Sequence, residues 1–96
     1  PAMSTSVALD LLSNASASGS AVMWPGGMGE FSVEASAWNG ATVALHKEGP
    51  NGTYVSLGAD VTLTANGFGA FVAGGGNIKA VITGSPTGVY AKVRGI

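Results

Sequence analysis

The chain has 96 residues, a net charge of −1 and no cysteine, which bounds it to one small domain with neither a disulfide framework nor a thiolate zinc site. Only four Lys or Arg and five Asp or Glu are present, where about a quarter of an ordinary domain is charged, and without a basic run nucleic acid is excluded as the main partner. No stretch reaches the ~18 consecutive apolar residues of a membrane span, and the N-terminus lacks the basic-then-apolar plan of a secretory leader, so synthesis in the cytoplasm and no membrane partner are expected.

Valine, with ten copies, is the commonest large apolar residue, which suits half-buried strands better than helices. The first apolar segment, Val7 to Leu12, is set apart by a Ser/Ala-rich run, SNASASGS, at 13–20. Residues 1–20 read as an N-terminal arm or edge strand, held by a sheet edge or a neighbouring molecule, and residues 21–96 as a β-sandwich domain. On this reading, deleting residues 2–18 leaves the sandwich folded.

From Val22 onward, short alternating runs lie between turn signals. Strands are expected at 21–24, 29–37, 42–48, 53–57, 60–65, 68–73, 77–83 and 88–95, with 5–12 as a ninth. Pro25-Gly26-Gly27, Asn39-Gly40, Pro50-Asn51-Gly52, Asn66-Gly67, Gly74-Gly75-Gly76 and Ser85-Pro86-Thr87-Gly88 supply the turns. That density of strands predicts an all-β fold: a single small β-sandwich, jelly-roll-like, with eight or nine short antiparallel strands.

Parity refines two of the connections. A two-residue Asn39-Gly40 hairpin would oppose Val43 to Ser36 and Leu45 to Glu34 and so mix the faces, which calls for a bulged three-residue loop or a change of sheet. The last two strands read as a hairpin with Ile78 opposite Val93, Ala80 opposite Ala91 and Ile82 opposite Val89. That register sets Lys79 against Lys92, an unfavourable pair unless something acidic lies on it.

Three glycines followed by Lys79 suggest a phosphate loop, yet Lys79 precedes Ala80 and a strand pattern, with no helix to offer its amides. The glycines read as a turn. His46 is the lone histidine, and the five carboxylates stand at no spacing that makes a catalytic pair; Glu30 and Glu34 share a strand face without an Asp/Asn-rich calcium loop. Neither an enzyme nor a cofactor or metal is expected. Trp24 and Trp38 end their strands, either plugging the sandwich or standing exposed as anchors.

Trp24-Pro25-Gly26-Gly27, Trp38-Asn39-Gly40, Pro50-Asn51-Gly52 and Pro86-Thr87-Gly88, spread over residues 22–96, resemble small β-rich virion proteins of tailed bacteriophages, among them capsid decoration, or cement, proteins. The resemblance implies a homotrimer on the outer capsid surface of a virion assembled in the host cytoplasm, stabilising the head by bridging capsomers of the major capsid protein. Within that reading Lys79, Tyr90, Lys92 and Arg94 face an acidic surface of the partner, with Trp24 and Trp38 as further contacts. The alternative is a carbohydrate-binding sandwich of a tail fibre or baseplate, with Trp24 or Trp38 as the stacking platform.

Overall fold

Turn residues cut the chain into nine strands in the computed structural model, which describes residues 7–96. They are β1 (Ala8–Ala15), β2 (Val22–Trp24), β3 (Gly27–Ala37), β4 (Thr42–Glu48), β5 (Tyr54–Ser56), β6 (Thr62–Leu63), β7 (Gly67–Ala73), β8 (Gly76–Thr83) and β9 (Thr87–Gly95), with one 3-10 turn at Ala59–Val61. Sheet A runs β1-β9-β3-β7; sheet B runs β2-β8-β4-β5, with β6 also on β4. All pairings are antiparallel. The all-β sandwich expected from the sequence is the fold observed.

Its topology is that of one long hairpin rolled up. The first half of the chain pairs with the second in reverse order: β1 with β9, β2 with β8, β3 with β7 and β4 with β5 and β6. Val22 meets Ile78 and Gly27 meets Ala73, so in the β2–β8 and β3–β7 pairs each residue lies as far before Pro50 as its partner lies after it. At the tip the Gly52 amide donates to the Gly49 carbonyl at 3.0 Å, and Gly52 takes a φ of 81°, the left-handed conformation that closes a bulged three-residue turn. Rolling then adds β3–β9 and β4–β8 and yields a jelly roll.

Alternation puts Phe31, Val33, Val89, Ala91 and Val93 of sheet A on the inner face against Trp24, Val43, Leu45, Ile78 and Ala80 of sheet B, all buried. The β1 register slips between Asp10 and Leu12, and this bulge turns two consecutive residues, Leu11 and Leu12, into the core. Residues 8–15 thus form an edge strand of the sandwich, and the first six residues of the expected arm lie outside those described.

Chain crossings between the sheets close both ends. Asn39 and Gly40, with φ of 51° and 75°, form a tight turn in which the Ala41 amide donates to the Trp38 carbonyl at 2.8 Å. This turn carries the chain from sheet A to sheet B, the change of sheet that parity allowed. Gly74 to Gly76 is another crossing, and it lies backbone to backbone on the β2–β3 crossing. A Cβ on Gly26 would sit 3.0 Å from the Gly75 nitrogen, so the glycines serve a close approach.

Two expectations are corrected. β8 and β9 are not a hairpin: they lie in different sheets, so Ile78 and Val93 both face inward without being strand neighbours. Lys79 pairs with His46, and Lys92 lies between Asp10 and Ser32, so no cation faces a cation. The strand expected at 60–65 is instead a 3-10 turn followed by two strand residues, because Thr62 Oγ1 donates to the Gly58 carbonyl at 2.8 Å and the turn buries Val61 completely.

Candidate interaction surface

The six residues singled out in the sequence separate into four places. Trp24 is 1% exposed. Its indole N–H donates to the Ala73 carbonyl at 3.2 Å and its ring lies 5.0 Å from that of Phe71. Such a side chain is a core plug and cannot stack on a sugar or a partner. Trp38 is half-buried, and its indole N–H donates to Asn66 Oδ1 at 2.8 Å. That same oxygen accepts from the Ala35 amide at 2.9 Å, so Trp38 helps tie β3 to the loop before β7.

Lys79 stands alone on the outer face of sheet B, its ammonium 4.3 Å from the centre of the Tyr54 ring, a cation–π contact that accounts for its position. His46, its neighbour across the strands, pairs on the other side with Ser56. Nearby, Asn77 Nδ2 donates to Glu48 Oε1 at 3.1 Å.

Tyr90, Lys92 and Arg94 do come together, because they alternate outward along β9 in the middle of sheet A. Each meets a polar neighbour: Arg94 lies beside Glu30, Lys92 between Ser32 and Asp10, and Tyr90 beside Glu34. Lys92 Nζ is 3.5 Å from Asp10 Oδ1. Carboxylates of this chain therefore already accompany the cations, and the case for an acidic partner surface that rested on facing lysines falls away.

What distinguishes this face is apolar. Of seven large hydrophobic residues exposed among the described residues, Met28, Phe68, Val72, Tyr90 and Ile96 lie on or at the border of the outer face of sheet A, and only Met23 and Val55 belong to sheet B. Phe68 and Val72 are 71% and 70% exposed. The five fall in two groups, Met28, Val72 and Ile96 at one end and Phe68 with Tyr90 at the other, with Glu30 and Arg94 between them, and exposed apolar groups rimmed by polar residues mark interaction sites. Phe68 and Tyr90 also flank a shallow depression of about 190 Å³ over Ser32 and Glu34, with Lys92 on its rim. The depression is smaller than the pockets of about 300–1,000 Å³ that enclose small ligands.

Met28, Phe68 and Val72 escaped the sequence reading, although a signal was available. In Gly67–Ala73 both parities carry an apolar residue, Phe68 and Val72 on one, Phe71 on the other. A strand with only one core-facing side has no internal need for the second set. Among the described residues no group of three or more His, Cys, Asp or Glu could hold a metal ion, and no helix is long and apolar enough to cross a membrane.

No family model matches the chain, and no curated relative does. Among solved structures, the SPBc2 prophage-derived protein YomS has a TM-score of 0.74 at 15% identity, covering 94% of this chain and 91% of that one. The two share a fold. More distant likenesses are the Yersinia pseudotuberculosis-derived mitogen, at a TM-score of 0.49 and 8% identity over 94% and 80% of the two chains, and a Bacillus endospore appendage protein, at 0.41 and 14% over 94% and 82%.

Proposed function

We propose that this protein is a non-enzymatic structural component of a phage virion that docks through the outer face of sheet A. The observation that carries the reading is the exposure there of Met28, Phe68, Val72, Tyr90 and Ile96. The fold shared with a prophage-derived protein supports the phage connection. Low surface charge supports association, since copies and partners repel one another weakly. In its specific form the proposal places the protein on the outer capsid as a decoration protein that bridges capsomers of the major capsid protein, burial against the shell stabilising both by mass action.

Cryo-electron microscopy of virions with and without the protein tests this directly. Density on the capsid that disappears on deletion, and weakens with Phe68→Lys, is the expected result; density on the tail alone overturns the capsid assignment. A second reading, binding of a carbohydrate by a fibre or baseplate module, moves from the two tryptophans to Phe68 and Tyr90 over Ser32 and Glu34. Glycan-array binding lost in Tyr90→Ala, without affinity for heads, favours that reading.

A further inference from the structure

The sheet edges of this sandwich are not equally protected. β2 and β5 are three residues each, and β1 carries two register shifts and Asp10. In contrast, β7 is a seven-residue edge without charge or proline, and it pairs residue for residue with β3 from Gly67↔Val33 to Ala73↔Gly27 without a bulge. Among the described residues no strand lies on its free side. Natural sheets shorten, charge, twist or cover such an edge, because its unpaired amides and carbonyls recruit another strand.

The side chains indicate which strand. We propose that β7 pairs antiparallel with β7 of a second copy about a two-fold axis at Ala70, continuing sheet A through both molecules. Centred there, Phe68 faces Val72 of the partner subunit twice over, an aromatic with a β-branched residue. Gly69, against which the Asp60 carbonyl of its own chain packs, falls opposite Phe71 of the partner subunit, and Gly67 falls opposite Ala73 of the partner subunit.

Other registers fit less well. A one-residue slip sets outward Phe68 against an inward residue. Centring on Gly69 pairs Phe68 with alanine and carries Val72 beyond the strand, and centring on Phe71 carries Phe68 past its end to Gly74. Strand β7 itself brings no charge to the contact. Asp60 is the one charged residue bordering the groove beside β7; it is exposed, so repulsion from its counterpart is screened at physiological salt. This contact is isologous and self-limiting. It yields pairs where the resemblance implied trimers, and it does not depend on where on a virion the protein sits.

The test uses the absence of cysteine. Ala70→Cys places two thiols across the axis within about 5.5 Å between Cα atoms, inside disulfide reach. Oxidation with glutathione disulfide is expected to convert most of this variant to a covalent dimer and to leave a control, Val55→Cys on β5, monomeric in denaturing electrophoresis. Val72→Lys, at an outward and exposed position, is expected to turn the native-mass dimer into a folded monomer that still unfolds in one cooperative transition, at a midpoint that no longer rises with protein concentration. A wild-type monomer or trimer, cross-linking of the Ala70 variant no greater than that of the control, or a Val72→Lys variant that stays dimeric would each overturn the proposal.

Discussion

Trp24 holds the largest side chain in the core and also bridges the sheets, since its strand belongs to sheet B while its indole N–H reaches Ala73 of sheet A. Trp24→Ala should therefore cost about 3–5 kcal/mol of folding stability, the range for removing a large buried aromatic. Trp24→Phe keeps most of the apolar volume and leaves the Ala73 carbonyl short of a donor, a loss of about 1–3 kcal/mol. Urea unfolding of both variants gives the order; an alanine variant as stable as the phenylalanine one would show that the ring is not packed as described. The Lys92–Asp10 pair is the opposite case. Its side chains are 64% and 74% exposed, so water screens the attraction, and Asp10→Asn should shift stability by no more than about 0.5 kcal/mol.

Among the elements, β1 is an edge strand, one of the two readings of residues 1–20, and the choice between them decides what a deletion does. An arm of residues 1–20 could be removed without harm, whereas an edge strand that buries Leu11 and Leu12 cannot. Each buried leucine is worth about 2–5 kcal/mol, and the two together rival the ~5–15 kcal/mol that keeps a domain folded. Deletion of residues 2–18 is thus expected to abolish the cooperative thermal transition, which circular dichroism would record. The Ser/Ala-rich composition of 13–20 suggested a linker, but in β1 it marks the second register shift, where Asn14 adopts a φ of 50°.

The positions of turns and the inward faces of β3, β4, β8 and β9 were legible because Pro, Gly and Asn at fixed places and period-two alternation are local signals. Sheet membership was not legible. Ile78 and Val93 face the same core from opposite sheets, and alternation looks the same whether two inward residues are neighbours along a sheet or meet across the interior. The supposed clash of Lys79 and Lys92 followed from that ambiguity. The interaction face was half legible: Tyr90, Lys92 and Arg94 lie within one strand and could be seen together, whereas Phe68 and Val72 join them only through β3, which lies between β7 and β9.

For the molecule as a whole, the rolled hairpin makes almost every strand pairing distant in sequence, from Ala8 with Arg94 inward to Val33 with Gly67. Long loops must close before such pairings repay the entropy, so refolding should take milliseconds to seconds, the range of all-β sandwiches, and not the microseconds of a helical bundle. Stopped-flow refolding checks this. The same topology sets the Gly95 amide 2.7 Å from the Val7 carbonyl, while Pro50-Asn51-Gly52 forms the opposite tip of the hairpin. A circular permutant that omits residues 1–6, joins Val7 to the end of β9 by a short linker and begins at Asn51 would keep every pair of strands yet reverse which end of the ladder is covalently joined. It should reach the same fold by zipping from β1 and β9 first, so the order of assembly in this protein is a property of where the chain is cut and not of the architecture it reaches.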